Sequence, residues 1–350
     1  MTARRVLVLA PNWLGDAVMA LPALAGLRAQ HPGGHLMVAA RRSVAPLFGM
    51  VEGVDGVVEL PAARAWDPSG LRREAAAIAS ARADLAILLT NSFRTAWVLR
   101  RAGVPERWGV RADLRGRLLT RAVPRPKTRG RHHSDYYRDL LSALGIEPAG
   151  APPRVAASGG AVERARGLLG EQGAAPGTAL VGMAPGAAYG RAKQWPPRRF
   201  AELAAELHGR FRATTVLVGS GGDREAAGQV LRCLPGGAAR PPVIDLVGRT
   251  DLPLLAGLMA CLDAFVSNDS GAMHLAAAAG LPVAALFGST DERATSPLPA
   301  AGPRARAHAI LTAPAWCRPC LLRECPIDHR CMTRIDAGAV AGAMGGWFER

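Results

Sequence analysis

Three short segments place polar or charged residues between an apolar run and a helical stretch, a position where binding and catalytic residues are common. The first is Pro11–Asp16, in which one glycine permits a tight turn and Asp16 follows at a helix start. A carboxylate there either caps the helix or acts as a general base at the edge of a sheet, and the spacing leaves both interpretations open. A dinucleotide site would need G-x-G-x-x-G at this turn, so the segment argues against an NAD or FAD enzyme.

The second segment, Ala184–Pro196, contains Lys193, and Lys127 is the only other lysine of the chain. An ammonium group is a compact point charge that suits phosphate, so Lys193 is either a phosphate ligand or a solvated loop lysine. The segment does not match the Walker pattern G-x-x-x-x-G-K-[ST].

The third segment, Asn268–His274, runs from an apolar strand into an alanine-rich helix. The unpaired N–H groups of a helix start attract anions, so the segment predicts a diphosphate site. Its candidate residues are Asp269, Ser270, Gly271 and His274. The alternative is an ordinary helix capped by Ser270, with His274 in the core.

Two weaker signals concern a nucleoside. An acid just after a strand-to-helix loop commonly binds ribose hydroxyls, and Asp223 and Glu225 lie in such a loop, where an ordinary helix-start acid is the alternative. Thr250 lies in a further loop that could line a base pocket.

Four cysteines cluster near the C-terminus. Cys317, Cys320, Cys325 and Cys331 are spaced in a way that suits a structural zinc knot. Reduced structural thiols and redox chemistry are the alternatives.

The elements that position these residues alternate between short apolar strands and longer helical stretches. In the first half the sequence predicts strands at Val6–Ala10, Leu36–Ala40, Val57–Leu60 and Leu85–Thr90, and helices at Asp16–Gln30, Ser43–Met50, Leu71–Ala81, Arg94–Arg101 and His133–Leu144. After a linker at Glu147–Gly160 it predicts strands at Ala179–Ala184, Thr215–Gly219, Val243–Asp245, Ala264–Ser267 and Val283–Phe287, and helices at Val162–Leu169, Pro197–Arg210, Arg224–Cys233, Leu252–Cys261, Gly271–Ala279 and Ala337–Glu349. Such alternation predicts an α/β protein of two doubly wound halves with a cleft between them. We expect ligands at the carboxyl ends of the strands.

Composition narrows the function classes. The net charge is +15, but the basic residues are almost all arginine, they are spread along the chain, and aromatic residues make up only 5%. Base-stacking platforms are therefore scarce, and the charge indicates an acidic surface or substrate rather than nucleic acid. Neither a signal peptide nor a membrane span is predicted, so we expect a cytoplasmic protein that is peripheral to the membrane.

The three segments together resemble glycosyltransferase family 9, the ADP-heptose:lipopolysaccharide heptosyltransferases. Thr90–Trp97 and the Cys-Pro-x-x-His core of the cysteine segment are similar to the heptosyltransferase II branch. The resemblance implies the GT-B fold, with an acceptor-binding Rossmann-like domain at 1–155, a nucleotide-sugar domain at 156–334 and a C-terminal helix at 335–350.

The resemblance also implies the reaction and its residues. It implies inverting, metal-independent transfer of heptose from ADP-heptose to the lipopolysaccharide inner core, as the second heptose on heptosyl-Kdo2-lipid A. Asp16 becomes the expected base. Lys193 and the Asp269–His274 turn are expected to bind the diphosphate. Glu225, with Asp223 and Thr250, is expected to bind the nucleoside. The expected acceptor-binding residues are Asn12, Trp13, Asn91, Ser92 and Arg94. No cofactor is required, apart from the zinc that the cysteines would hold. The implied partners are the ADP-sugar, an anionic glycolipid and the anionic membrane surface.

Three alternatives remain open from the sequence. One is a family 9 enzyme with a non-lipopolysaccharide acceptor, and another is a related GT-B epimerase or hydrolase. The third is a non-catalytic basic protein that binds RNA or membrane.

Overall fold

The chain divides into two compact units, residues 1–153 and residues 154–350, called unit 1 and unit 2 below. The computed structural model describes residues 4–62, 67–147, 150, 154–299 and 306–348. Residues 148, 149 and 151–153 of the predicted linker lie outside the described residues, as does Glu349 of the predicted last helix.

Unit 1 is built on a six-stranded parallel sheet with strand order β3-β2-β1-β4-β5-β6. Its strands are β1 Arg5–Leu9, β2 His35–Arg41, β3 Gly56–Leu60, β4 Leu85–Leu88, β5 Glu106–Val110 and β6 Arg121–Val123. Its helices are α1 Leu14–Met19, α2 Leu21–Gln30, α3 Ala45–Phe48, α4 Pro68–Ser80, α5 Phe93–Arg101 and α6 His133–Ala143.

Unit 2 repeats this architecture, with strand order β12-β11-β10-β7-β8-β9. Its strands are β7 Leu180–Ala184, β8 Thr214–Leu217, β9 Val243–Asp245, β10 Ala264–Asn268, β11 Val283–Phe287 and β12 Ala309–Thr312. Its helices are α7 Gly159–Glu171, α8 Pro197–Phe211, α9 Arg224–Cys233, α10 Leu252–Cys261, α11 Gly271–Ala278, α12 Glu292–Thr295, α13 Arg330–Thr333 and α14 Ala337–Met344.

The central strands carry the core of each unit. Every residue of β4, β8, β10 and β11 is buried, as expected for parallel strands that are covered on both faces. Within the described part of the chain, no helix combines the length and the apolar character that crossing a bilayer would require.

The strand order reverses direction at one place in each sheet, between β1 and β4 in unit 1 and between β7 and β10 in unit 2. At such a switch point the connections leave the two strands toward opposite faces, which opens a crevice at their carboxyl ends. All three segments singled out in the sequence follow a strand that flanks a switch point. Pro11–Asp16 follows β1, Ala184–Pro196 follows β7, and Asn268–His274 begins at the end of β10.

Several predicted elements were wrong in extent or missing. The predicted helix Asp16–Gln30 is two helices, separated at Ala20, because Pro22 lacks an N–H and its ring disfavours a continuous helix through that turn. The sequence also missed the strands β5, β6 and β12. The last α-helix ends at Met344 and continues as a 3-10 turn, Gly345–Trp347.

Candidate active site

The carboxyl edge of the unit 2 sheet brings Lys193 and Asp269 together. Lys193 ends a 3-10 turn, Arg191–Lys193, in the loop after β7, and Asp269 directly follows the neighbouring strand β10. The Lys193 Nζ lies 2.7 Å from Asp269 Oδ2, and 15% and 5% of the two side chains are exposed. The interpretation of Lys193 as a solvated loop lysine is therefore wrong. The ion pair instead holds an ammonium group close to the start of α11.

Asn268 connects the two loops that carry this pair. Its side chain is fully buried, its Oδ1 accepts a hydrogen bond from Trp195 N at 2.8 Å, and its Nδ2 donates to Pro185 O at 2.9 Å. One amide thus fixes the loop after β7 to the end of β10. The sequence-based site did not include Asn268, although a polar residue at the end of an apolar strand was a usable signal.

The first turn of α11 is arranged differently from the capped helix that the sequence allowed. Ser270 occupies the N-cap position, but its hydroxyl makes no cap hydrogen bond and lies 3.0 Å from Ser267 Oγ. The backbone N–H groups from Gly271 onward therefore keep the capacity to bind an anion. His274 is buried in the second turn of the same helix.

The two acids proposed for ribose have different surroundings. Asp223 Oδ2 accepts hydrogen bonds from Ser220 N and Ser220 Oγ, both at 2.8 Å, and the carboxylate packs so closely on Gly186 that no Cβ would fit there. Glu225 is exposed, and its nearest cation is Arg191 at 3.9 Å. Thr250 is half-buried just before α10. Asp223 thus organises its own loop, whereas Glu225 is accessible to a ligand.

In unit 1, Asp16 lies in the first turn of α1, whose N-cap residue is Trp13. Asp16 is therefore not the N-cap residue, but its carboxylate lies where it can stabilise the start of α1. Burial, together with the nearby Asp16 carboxylate and Tyr136, raises the pKa of Tyr137 far above its ordinary value. Asp16 accordingly lies within electrostatic range of the phenol on α6. Asn12 and Trp13 precede it and are exposed.

The turn after β4 is fixed by a buried arginine that the sequence did not reveal. The guanidinium of Arg115 donates to Val110 O at 2.8 Å, to Thr90 O at 2.6 Å and to Asn91 Oδ1 at 3.3 Å. Tyr136 also donates to Asn91 Oδ1, at 2.8 Å. Asn91 is thereby held in one orientation at the end of the strand that neighbours β1. Ser92, the next residue, is the N-cap of α5 and accepts a hydrogen bond from Thr95 N at 3.3 Å.

Arg94 takes part in a buried ion cluster at the same edge. Glu74 on α4 is 97% buried, since only 3% of its side chain is exposed, and it pairs with Arg94 at 2.7 Å and with Arg41 at the end of β2. The Nε and Nη2 atoms of Arg94 are buried without a hydrogen-bond partner in the described residues.

The four clustered cysteines do not form the zinc knot that their spacing allowed. Among the described residues, no group of three or more His, Cys, Asp or Glu side chains is arranged to hold a metal ion. Cys317, Cys320 and Cys325 are half-buried free thiols. Burial, followed by the three neighbouring cysteines, raises the pKa of the buried Cys331 thiol.

Comparison with known proteins identifies the family. The family model described as "Glycosyltransferase family 9 (heptosyltransferase)" matches residues 71–330. The chain belongs to glycosyltransferase family 9. It is 31% identical over 302 residues to "Lipopolysaccharide heptosyltransferase 2" of Escherichia coli K12, and the aligned region covers 84% of this chain and 85% of that relative. It is 29% identical to "Lipooligosaccharide heptosyltransferase 2" of Haemophilus influenzae, over 84% of this chain and 86% of that relative.

The solved structures agree with this family. The structure of E. coli ADP-heptose lipopolysaccharide heptosyltransferase II superposes with a TM-score of 0.81 and 26% identity, over 98% of each chain. A family 9 glycosyltransferase from Veillonella parvula has a TM-score of 0.83, over 99% of this chain and 98% of that one, and its 23% identity supports the fold alone. The prediction of a family 9 glycosyltransferase of the GT-B fold class is confirmed. The roles of individual site residues stay predictions.

Proposed function

We propose that this chain transfers heptose from ADP-heptose to the inner core of lipopolysaccharide, with inversion at the anomeric carbon and without a catalytic metal. The similarity over 84% of the chain to the lipopolysaccharide heptosyltransferase 2 of E. coli carries the proposal. The contacts within each unit support an assignment of roles.

Unit 2 supplies the donor site. The diphosphate binds at the start of α11, at the carboxyl edge of the sheet. Its proposed contacts are Lys193, the Ser270 and Gly271 amides, Asp269 and His274. As the bond to the sugar breaks, negative charge grows on ADP, and a preorganised cation with nearby amides stabilises it without rearranging. Asp269 holds the ammonium group in place through its 2.7 Å ion pair.

The nucleoside lies beyond the diphosphate. Of the two acids we assign the ribose to Glu225, because Asp223 already accepts two hydrogen bonds from Ser220 and is packed on Gly186. Thr250 lines the base pocket.

Unit 1 supplies the general base and the acceptor contacts. Asp16 removes the proton of the attacking hydroxyl as the new glycosidic bond forms on the face opposite ADP. Asn12 and Trp13 precede the base, and Asn91, Ser92 and Arg94 follow the neighbouring strand, so all five lie at the edge where an acceptor would reach Asp16.

Substitution of Asp16 tests its role as the general base. Replacing Asp16 by Asn keeps the shape but removes the basicity, so kcat should fall about 10²- to 10⁴-fold while ADP affinity is retained. Kinetics with ADP-heptose and calorimetric titration with ADP measure the two quantities. Glu59→Gln is the matched control, since that carboxylate is exposed and 56% of its side chain is accessible. Full activity in Asp16→Asn would remove the residue from this role.

Metal independence follows from the same charge arrangement. Turnover should persist in EDTA because Lys193 and the amides neutralise the leaving group. A strict requirement for Mg²⁺ in the transfer assay would contradict this part of the proposal.

The relatives of this chain include heptosyltransferases of more than one numbered type. A relative named "Lipopolysaccharide heptosyltransferase 1", from Pseudomonas aeruginosa, is 28% identical over 92% of this chain. Mass spectrometry of products from heptosylated and unheptosylated acceptors tests the position of transfer. Activity only on a different class of acceptor would favour the alternative of a family 9 enzyme with a non-lipopolysaccharide acceptor.

We place the reaction in the cytoplasm, at the inner face of the membrane. The net charge of +15 supports attraction to an anionic surface. Cosedimentation should be stronger with anionic than with zwitterionic vesicles and should weaken with salt. Equal binding to both kinds of vesicle would exclude the electrostatic contact.

A further inference from the structure

The turn that carries Lys193 is hydrogen-bonded to the cysteine-rich segment, residues 317–331, through both the N–H and the carbonyl of one residue. Ala192, the residue before Lys193, donates its N–H to Arg323 O at 2.9 Å. Its carbonyl oxygen lies 2.9 Å from His329 Nε2, which must be the donor because a carbonyl only accepts. Two hydrogen bonds from one segment thus hold the residue next to the proposed phosphate-binding lysine.

The residues before this turn pack against the same segment. Tyr189 donates its hydroxyl to Leu321 O at 2.9 Å, and its ring lies 5.0 Å from Lys193 Nζ and 5.2 Å from Arg323 Cζ. A Cβ at Gly190 would collide with the backbone of Arg323. The approach is therefore so close that only glycine fits without displacing the segment.

The other side of the segment is fixed to the loop that follows β11. Leu321 donates its N–H to Ser289 O at 2.8 Å. The Arg318 guanidinium donates to Gly288 O at 3.0 Å and pairs with Glu292 at 2.6 Å. The segment therefore spans from the carboxyl end of β11 to the loop after β7.

We propose that residues 321–329 form a strut that sets the position of Lys193, and that His329 is its positioning residue. The inference rests on the proposed function, in which Lys193 binds the donor diphosphate. The strut touches no substrate atom. It acts through the Ala192 carbonyl, whose placement fixes the start of the Lys193 side chain opposite Asp269.

The backbone of His329 offers a matched pair of substitutions. Its φ is +56°, in the left-handed region where Asn is favoured over Gln. The side-chain amide nitrogen of Gln, however, can occupy the position of the His329 Nε2. The side chain of Asn is one carbon shorter, so its amide nitrogen does not reach the Ala192 carbonyl. Backbone fit therefore favours Asn and the hydrogen bond favours Gln, so the two variants separate the explanations.

The test is ADP titration of the full-length chain. We expect His329→Asn to weaken ADP binding about tenfold and His329→Gln to remain within about threefold of the unsubstituted chain. Tyr189→Phe, which keeps the ring but loses the bond to Leu321 O, should weaken ADP binding about threefold. It also serves as the second variant should His329→Asn fail to fold.

A double-mutant cycle shows whether the effect passes through Lys193. In a Lys193→Ala background, His329→Asn should change ADP affinity by less than about twofold, because the group it positions is gone. The strut is contradicted if His329→Asn weakens ADP binding tenfold in both backgrounds, or if His329→Asn and His329→Gln bind ADP equally. The proposed function is unaffected by either result. If Lys193→Ala alone leaves ADP affinity unchanged, the assignment of Lys193 falls and the strut falls with it.

Discussion

Arg115 shows how much one buried side chain organises at the residue scale. Its guanidinium has no exposed surface and donates to the backbone carbonyls of Val110, Thr90 and Ser92 and to the side chain of Asn91. Burial lowers its pKa, and Tyr136 and Asp113 partly oppose this effect. The arginine remains charged and joins the turn after β4 to the end of β5.

We predict that Arg115→Met destabilises the fold by about 2–4 kcal/mol, because the buried acceptors lose their donor. Arg115→Lys should not rescue it, since one ammonium group cannot reproduce the planar fork. Denaturant unfolding measures both variants. Arg117→Met is the control, because Arg117 is exposed in the same 3-10 turn. A loss below about 0.5 kcal/mol in Arg115→Met, the range of ordinary surface changes, would contradict the role.

The sequence predicted some site residues and not others for physical reasons. Lys193 stands out because lysine is rare in this chain, and the structure places it in a buried ion pair with Asp269. Arg115 gave no comparable signal, since it is one arginine in a basic stretch. His329 lies inside the cysteine pattern, which suggested a metal rather than a hydrogen bond to a distant loop. Long-range partners of this kind are set by packing and leave no local pattern.

At the scale of elements, apolar periodicity located the central strands and most helices. β9 and β11 and the helices α9 and α10 have the predicted bounds. The missed strands β6 and β12 each lie at one edge of their sheet, and β12 alternates between half-buried and exposed residues. The missed strand β5, next to β6, is polar in its first half. Strands near an edge are covered less completely, so they need no continuous apolar run.

The Glu74 cluster connects three elements of unit 1, namely β2, α4 and α5. Glu74→Gln would leave Arg41 and Arg94 facing each other with no anion between them. We expect a loss of about 3 kcal/mol in the free energy of unfolding, typical of a broken buried ion pair. The exposed pair of Glu59 and Arg42, at 3.8 Å, is the control, and Glu59→Gln should cost less than about 0.5 kcal/mol. Equal losses in the two variants would show that burial does not matter here.

His308 connects the two strands at one edge of unit 2 and makes its stability depend on pH. Its Nδ1 accepts from Val283 N at 3.2 Å and its Nε2 donates to Leu298 O at 2.9 Å, so the ring must be neutral. Burial lowers the pKa of His308, an effect that the bond to Leu298 only partly opposes. The folded pKa is then below the unfolded value of about 6.5. The stabilisation is present above that unfolded value and is lost as pH falls through the folded pKa.

We therefore expect unfolding free energy to fall between pH 7.5 and pH 5, by at most about 1.4 kcal/mol per pH unit from this group. His308→Asn keeps an acceptor for Val283 N but cannot be protonated, so its stability should fall less over the same range. Chemical unfolding at each pH measures the difference. His133→Asn, at the exposed start of α6, is the control and should follow the unsubstituted chain. Parallel pH curves for all three proteins would exclude His308.

At the scale of the whole molecule, the same strand order occurs twice. We propose that the switch points of the two copies serve different tasks. The predicted base and acceptor residues follow strands of unit 1, and the predicted donor residues follow strands of unit 2. Strand and helix alternation was enough to predict the repeated architecture, because each half of the chain contains its own series of apolar strands and covering helices.

The division also predicts where ADP acts. At a concentration of about 100 times its dissociation constant, ADP should stabilise the protein that binds it by about 2.7 kcal/mol. Hydrogen exchange should slow in residues 180–195 and 264–278 of unit 2, which contain the loop after β7 and the start of α11. Exchange in residues 5–19 and 85–101 of unit 1 should not change.

UDP and GDP serve as controls and should protect less than ADP. Lys193→Ala should reduce the protection in unit 2, because the cation that meets the diphosphate is gone. Protection that is equally strong around Asp16 would place the nucleotide on unit 1 and reverse the assignment of the two units.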